Sequence, residues 1–592
     1  DIMPLGDLGN LIALPFQKNA RKAGNSVFVD ADLRPYDDQW AYLSSLPRFS
    51  AEAVANLVAA AELSGQVLGV RMPMDDEQAD EPWKTPPSRR STPRRLDVPV
   101  PQNIKVTIAD QIYIDWSELP SAMIAQLVRL AAFQNPEFYR AQAMRLPTFG
   151  KPRIVSCAEL HPRHIALPRG CFDEAVGLLS DQGASVDLDD LREDGTALPE
   201  TVRFRGELRQ QQSRAFNALI EHDNGVLAAT TAFGKTVVAS ALIAHRARNA
   251  LVLVHRRELL NQWVERLGSF LQIDPKQIGT IGAGKRKPTG VIDVALIQSL
   301  VRKGEVDDIV GNYGHLVVDE CHHLSAASFE LVARRTKARY VAGLSATVAR
   351  KDGHHPIIFM QCGAIRYRVD AKEQAKARPF QHHVIVRPTA FRQLHQSEDD
   401  ARMEYQKLCQ SLMEDRVRNR MICADVIAAF RDGRHPLVLT ERTEHLTALH
   451  EILTEFGVES VTFKGGLGKK QRAAAMKDLD TASAVVLATG RYVGEGFDCS
   501  RLDTLFVTMP VSWRGTVAQY VGRLHRLHDG KQLVQVYDYA DLNVPMLERM
   551  FDKRCAGYEA VGYSILLPAS ALPGWPQAVP LPVDPAWKRD YG

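Results

Sequence analysis

No C-x-x-C pair occurs anywhere in this sequence. Its eight cysteines (157, 171, 321, 362, 409, 423, 499 and 555) are scattered, which argues against a zinc ribbon or a disulfide scaffold and fits a reducing cytoplasm. Long apolar runs are missing as well. Nothing approaches the roughly 18 to 20 residues that a membrane span needs, and no cationic and apolar leader is visible, so a cytoplasmic protein without a membrane partner is expected. Charge of one sign is also lacking. With 73 Lys+Arg against 70 Asp+Glu the net charge is +3, so any binding to nucleic acid must come from local basic patches rather than a global field.

What is present is a chain of 592 residues, 45% hydrophobic and 24% charged. That is ordinary for a globular protein and too long for one core, so several domains are expected. The chain opens at Asp1 rather than Met, which leads us to expect a fragment. Residues 1–74 form a first block, with strands expected at 11–15 and 26–30 and an Ala-rich helix capped by Ser50. The basic run 17–22 between those strands suits either a solvated hairpin or a phosphate-contacting loop. An acidic and then Pro/Arg-rich stretch, 75–102, reads as an extended linker in which Arg89, Arg90, Arg94 and Arg95 are solvated. A small α/β module is expected over 103–200, with Asn135-Pro136 starting a helix through Arg145. His161 and His164 gather no further ligands there, so a metal site is not expected.

From residue 201 onward, short β-rich runs alternate with helical patterns, the signature of parallel α/β domains. Candidate strands at 251–254, 291–294, 316–318 and 340–342 form one sheet. After a break near 375–400, those at 436–439, 484–487, 504–507 and 533–536 form another. The expected domains are 201–380 and 381–563, followed by a Pro-rich tail or linker at 564–592.

The stretch 229–236, Ala-Thr-Thr-Ala-Phe-Gly-Lys-Thr, follows an apolar run at 225–228 and precedes a segment with helical spacing of Val238, Ala241 and Leu242. Strand, tight loop and helix make an anion cradle from backbone N–H groups and a helix N-terminus. Lys235 can then reach the outer phosphates of a nucleotide, and the Thr236 hydroxyl can ligate Mg²⁺. Ala229 stands where the usual pattern has its first glycine. Asp319 and Glu320 follow the apolar run 316–318, at the strand edge where open α/β sheets bind ligands. Asp319 is suited to hold Mg²⁺, and Glu320 to orient and deprotonate a water. Arg523 and Arg526, three residues apart, share one face of a helix, and each is a charged fork suited to a γ-phosphate.

Taken in order, Gly-Lys-Thr at 234–236, Asp-Glu-Cys-His at 319–322, Ser-Ala-Thr at 345–347 and Gln-x-x-Gly-Arg-x-x-Arg at 519–526 resemble a superfamily-two helicase across residues 201–545. The resemblance implies two tandem RecA-like domains with ATP and Mg²⁺ in the cleft between them. It assigns Arg209 and Gln212 to an adenine-reading element, and Thr231, Gly234, Lys235, Thr236, Gly496 and Asp498 to the nucleotide. Arg257, Gln298, Ser299 and Thr489 go to the nucleic acid, although His255-Arg256 replaces the usual Pro-Thr before Arg257. Ser345 and Thr347 match the motif that couples hydrolysis to movement. Arg350-Lys-Asp352 resembles the Arg-Glu-Asp element of XPB-type DNA helicases, whose damage-recognition domain the module at 103–200 matches by position. The opening block resembles the closing strands of an archaeo-eukaryotic primase, as in the primase–helicase fusions of TOTE conflict systems. The primase's catalytic acids would then lie upstream, and Asp30 would be structural.

The expectation is an ATP-dependent DNA helicase or translocase acting on single-stranded or duplex DNA, with a nuclease or primase domain of the same system as a further partner. A non-catalytic nucleic-acid-binding component of a defence assembly and an RNA helicase are the alternatives. Intact Lys, Asp-Glu and paired Arg speak against the first, and phosphate contacts alone do not distinguish the strands in the second.

Overall fold

The computed structural model describes residues 27–28, 35–46, 50, 100–143, 146–321, 326–346, 356–376, 378–392, 401–463, 484–490, 499–511, 514–526, 528, 530–568 and 578–580. The strands expected at 11–15 and most of 26–30, the Ser50 helix, the linker at 75–99, and Arg350-Lys-Asp352 lie outside those residues. So do His322, Thr347, Gly496 and Asp498.

Past a short helix at Gln39–Ser45, the chain enters a five-stranded mixed sheet. Its order is Glu159–Leu160, His164–Leu167, Ile112–Asp115, Asn103–Ile108 and Ser185–Asp190. The helix expected after Asn135 is there, Pro136–Ala143, and the Asn135 side chain accepts from the Glu137 N–H at 3.1 Å. This module does not stand apart. Its buried Leu127, Phe133 and Leu179 belong to the same apolar cluster as Leu316 and Val318 of the sheet that follows and Phe329 of the helix Ala326–Arg335. Gly170 packs so closely that a Cβ there would lie 2.1 Å from the Phe359 carbonyl oxygen.

In the first large sheet, α1 (Gln210–Ile220) precedes β1 (Asn224–Ala228), α2 (Lys235–Arg246), β2 (Ala250–Val254) and α3 (Arg257–Leu271). Then come β3 (Ile292–Leu296), β4 (His315–Val318) and β5 (Tyr340–Ser345). Spatially the order is Lys285–Lys287, Gly279–Gly282, β3, β2, β4, β5, β1 and Ile365–Arg368. Pairing is parallel except at the Lys285–Lys287 edge. Strands covered by helices on both faces must be apolar throughout, and β2, Ala-Leu-Val-Leu-Val, is buried at all five positions.

The second sheet contains β6 (Gln381–Pro388), β7 (Pro436–Thr440), β8 (Val485–Thr489), β9 (Thr504–Val507) and, after α4 (Arg514–Gly522), β10 (Leu533–Ala540). The order is Ser460–Phe463, β8, β7, β9, β10, β6, Ser564–Pro568 and Ala578–Pro580, again parallel until the last pair.

Two expectations need correcting. The break near 375–400 holds β6, which runs between β10 and the strand at 564–568. Its sequence, Gln-His-His-Val-Ile-Val-Arg-Pro, carries only three consecutive aliphatic residues. The polar ends are accommodated by tertiary partners: His382 is buried, and Arg387 donates from Nε and Nη2 to Asp425 at 2.8 and 3.1 Å. The stretch from 564 onward is likewise not all tail, because Ser564–Pro568 pairs with β6 and Ala578–Pro580 pairs with Ser564–Pro568.

Candidate nucleotide site

Strand register brings the first lobe's chemistry to one edge. Ser345 pairs with Ala228 and Gly343 with Val318, so β1, β4 and β5 end at nearly the same level. The loop after β1 closes on this edge through the Ala229 N–H, which donates to the Ser345 carbonyl at 2.9 Å. Ala229 is buried, so a small residue does fit where the usual pattern has glycine. The loop then turns through two left-handed positions, Ala232 (φ 67°) and Gly234 (φ 94°). Gly234 is needed twice over: its φ disfavours other residues, and a Cβ would sit 2.4 Å from Nε2 of Gln212. Gln212 holds the loop, with Nε2 donating to the Phe233 carbonyl at 2.7 Å and Oε1 accepting from the Arg209 N–H at 2.9 Å. Arg209 Nη2 donates to the same carbonyl at 2.7 Å.

Lys235 opens α2 and turns back into the loop, where its Nζ lies 3.0 Å from Oε1 of Glu320 and 3.3 Å from the Ala229 carbonyl. Glu320 has φ 45°, a strained conformation for a residue with a side chain, of the kind that persists where surroundings impose it. Its Oε2 accepts from the Ala346 N–H at 3.3 Å, which ties it to the end of β5. Asp319 is buried and accepts from the Trp263 indole N–H at 2.7 Å and from the Glu320 N–H at 3.0 Å. Burial, then the neighbouring Glu320 charge, push the Asp319 carboxyl above its ordinary range, while Lys235 and the Trp263 bond oppose this.

The second lobe faces this edge across a cavity of about 790 Å³ lined by Lys235, Thr236, Asp319 and Glu320 on one side and by Arg523 and Arg526 on the other. Arg209, Gln212, Thr231 and Gly234 also line it. Six permanently cationic side chains, Arg209, Lys235, Arg266, Arg378, Arg523 and Arg526, stand against the carboxylates of Asp319 and Glu320 among the described lining residues. Such an excess of positive charge in a concave site suits a polyanion. The lobes touch at Gly522, whose Cβ, if it had one, would lie 2.6 Å from that of Thr231.

Three models of known families match the chain. "Type III restriction enzyme, res subunit" covers residues 205–350, "Helicase conserved C-terminal domain" covers 419–528, and the archaeo-eukaryotic primase domain of TOTE conflict systems covers 1–57. The DNA 3'-5' translocase XPB2 of Sulfurisphaera tokodaii is 31% identical over 29% of this chain and 38% of its own length. The DNA 3'-5' helicase XPB of Mycobacterium tuberculosis is 29% identical over 30% and 34%. The chain thus matches helicase domain models in both lobes and is similar to XPB-type helicases. Its helicase domains are of the kind that hydrolyses ATP, and residues 1–57 match a primase-type domain. An Acanthamoeba polyphaga mimivirus protein, by name an ATP-dependent RNA helicase, is 25% identical over 62% of this chain and 70% of its own. The solved structure of T4 UvsW covers 78% of this chain at 16% identity, with a TM-score of 0.36. The XPB-type relatives are matched over about a third of their lengths.

Other expected site residues of the helicase fall away from the cavity. Arg257 is exposed at the start of α3, and Gln298 and Ser299 are exposed just past β3. Gln298 Nε2 donates to the His255 carbonyl at 3.1 Å, joining these two strand ends. Thr489 is buried at the end of β8. Sequence reasoning missed Trp263, Arg266 and Arg378. The first two lie on one face of α3, three residues apart, a spacing that was legible but indistinguishable from core packing. Arg378 lies on the segment between the two sheets, where no motif marks it. Burial brings its guanidinium down to about 10.

Proposed function

We propose that this helicase is an ATP-driven DNA translocase or helicase that hydrolyses the nucleotide between its two lobes. The observation that carries the reading is the single cavity shared by Lys235, Asp319 and Glu320 from one lobe and by Arg523 and Arg526 from the other. The donors fit Mg²⁺, since the Thr236 hydroxyl and the Asp319 carboxylate are hard oxygens, and Asp319 keeps unused lone pairs beyond its two hydrogen bonds. Thr236 and Asp319 would hold the ion, which when bound would supply charge neutralisation for the phosphates. Lys235, now paired with Glu320, would exchange that partner for the outer phosphates. Glu320, freed of the ammonium, would orient the attacking water and accept its proton. Arg523 and Arg526 would meet the γ-phosphate from across the cleft, a contribution worth roughly 10³ to 10⁵ in rate for such fingers. Because both arginines belong to the opposite lobe, closure would depend on the triphosphate, and release on hydrolysis would reopen the cleft.

Arg257, Gln298, Ser299 and Thr489 are the proposed contacts to the strand, made mainly to phosphates and therefore sequence-tolerant and salt-sensitive. DNA rather than RNA is favoured by the names of the XPB-type relatives, and a defence or mobile-element setting by the primase-type segment. The test is phosphate release with single-stranded DNA, duplex DNA and RNA, for the wild type and Lys235→Ala. DNA-stimulated turnover abolished in the variant is expected. Wild-type turnover by Lys235→Ala would rule out this site, and stimulation by RNA alone would reassign the track.

A further inference from the structure

The turn that carries the two arginines has little structure of its own. Beyond α4 the chain tightens, with Arg523 N–H donating to Tyr520 at 3.1 Å, Leu524 N–H to Val521 at 3.0 Å and His525 N–H to Gly522 at 3.3 Å. Carbonyls at such a helix end have no partner within the helix. Here a lysine from the next segment supplies one. Lys531 Nζ donates to the carbonyls of Leu524 at 3.1 Å and Arg526 at 2.9 Å, and also to those of Ser500 at 2.7 Å and Leu502 at 2.8 Å. Three ammonium protons thus serve four backbone acceptors drawn from two segments. Both bonds from Lys531 to the turn go to main-chain carbonyls, and the side chains of Arg523 and Arg526 line the cavity.

We propose that Lys531 is a positioning residue for ATP hydrolysis: its ammonium bolts the Leu524–Arg526 turn to the 500–502 loop and so fixes where Arg523 and Arg526 enter the cleft. A neutral hydrogen-bonding side chain could not do this as well. Carbonyl dipoles converge on a cation, and charge-assisted bonds are about twice as strong as neutral ones. This rests on the reading of Arg523 and Arg526 as the groups that meet the γ-phosphate.

The bolt also titrates. Burial lowers the Lys531 ammonium to about 8, against the opposing influence of Asp503 and Cys499. The other groups facing it are the Phe380 ring of the segment leading into β6, at 5.8 Å, and His525, whose own pKa is lowered in part by Lys531. Lys531 is therefore charged below about pH 8 and loses its proton above it, so the turn loosens as pH rises through that value.

The experiment compares wild type, Lys531→Met and Lys531→Arg by ATP turnover, by binding of a fluorescent ATP analogue and by hydrogen exchange of the amides at 523–526. For Lys531→Met the analogue binds within a few-fold of wild type, exchange at 523–526 accelerates and kcat falls by about 10²-fold, the cost of an ångström-scale misplacement. Lys531→Arg recovers much of kcat and removes the fall in wild-type kcat above about pH 8. Unchanged exchange at 523–526 in Lys531→Met overturns the proposal whatever the activity does. If Lys531→Met does not fold, a high-pH fall identical in wild type and Lys531→Arg overturns it instead. A wild type that hydrolyses no ATP would defeat the functional reading while leaving the exchange result to decide this one.

Discussion

Replacing Gly522 with alanine should keep the lobes from meeting without unfolding either one. Gly522 ends α4, and its φ is not left-handed, so alanine costs nothing locally. Within a helix it is favoured over glycine by about 1 kcal/mol. The trouble lies across the cleft, where the new methyl would stand 2.6 Å from Cβ of Thr231, 3.0 Å from its Oγ1 and 3.3 Å from its Cγ2. Carbon atoms settle at about 3.5 to 4.0 Å, so the contact is short by roughly 1 Å. The obstacle is a Cβ, which cannot swing aside as the end of a long side chain would. The backbones must separate, and Arg523, the next residue, moves with Gly522. A displacement of that size costs about 10²-fold in rate, near 2.7 kcal/mol of barrier. The assay is steady-state phosphate release with saturating DNA, beside a melting curve. Expected are a melting temperature at or above wild type and a kcat lower by about two orders of magnitude. Thr231→Gly removes the obstructing atom, so Thr231→Gly/Gly522→Ala should turn over no more slowly than Thr231→Gly alone, a departure from additivity that only contacting residues show. Wild-type kcat in Gly522→Ala would falsify the closed-cleft geometry.

Trp263→Phe keeps the apolar bulk on α3 but deletes the indole donor to Asp319. Outer-shell losses of this kind lower metal affinity by about 10- to 100-fold, so the Mg²⁺ concentration for half-maximal turnover should rise accordingly in a metal titration. In the second lobe Arg554 donates to Asp538 from Nε and Nη2 at 2.7 and 2.8 Å, with Asp538 fully buried. Arg554→Met leaves that carboxylate without its cation and should cost about 3 to 5 kcal/mol, read as a lower urea midpoint. Acid should also destabilise the fold well above the carboxylate range. Burial holds His315 and His445 down to about 3 and His382 to about 4, so each is neutral when folded yet titrates near 6.5 when unfolded. Their contribution is present above pH 6.5 and is lost as pH falls toward 4, by up to about 1.4 kcal/mol per pH unit for each histidine. Urea midpoints measured from pH 7 to 5 should decline. Replacing His445, which bridges Thr440 and Asn419 at 3.0 and 2.9 Å, with glutamine should flatten the slope.

Local pattern was enough to read the parallel α/β class, the loop after β1, the acid pair after β4 and the paired arginines. Each is a short run whose chemistry depends on neighbours in sequence: an apolar strand, a turn that only Gly234 tolerates, and two arginines three residues apart, although the expected shared helix face is absent, since α4 ends at Gly522 and both lie on the turn beyond it. Tertiary structure alone decided which of these meet. The common level at which β1, β4 and β5 end, the approach of Gly522 to Thr231, and the placing of Trp263 beneath Asp319 all depend on packing between segments from about 25 to nearly 300 residues apart. β6 was hidden for the same reason, since His382 and Arg387 become strand residues only once burial and Asp425 accommodate them. Lys531 carries the point furthest. Read along the chain it is one lysine in a polar turn, and its four carbonyl partners become partners only when the loop before β9 and the turn after α4 are folded against each other.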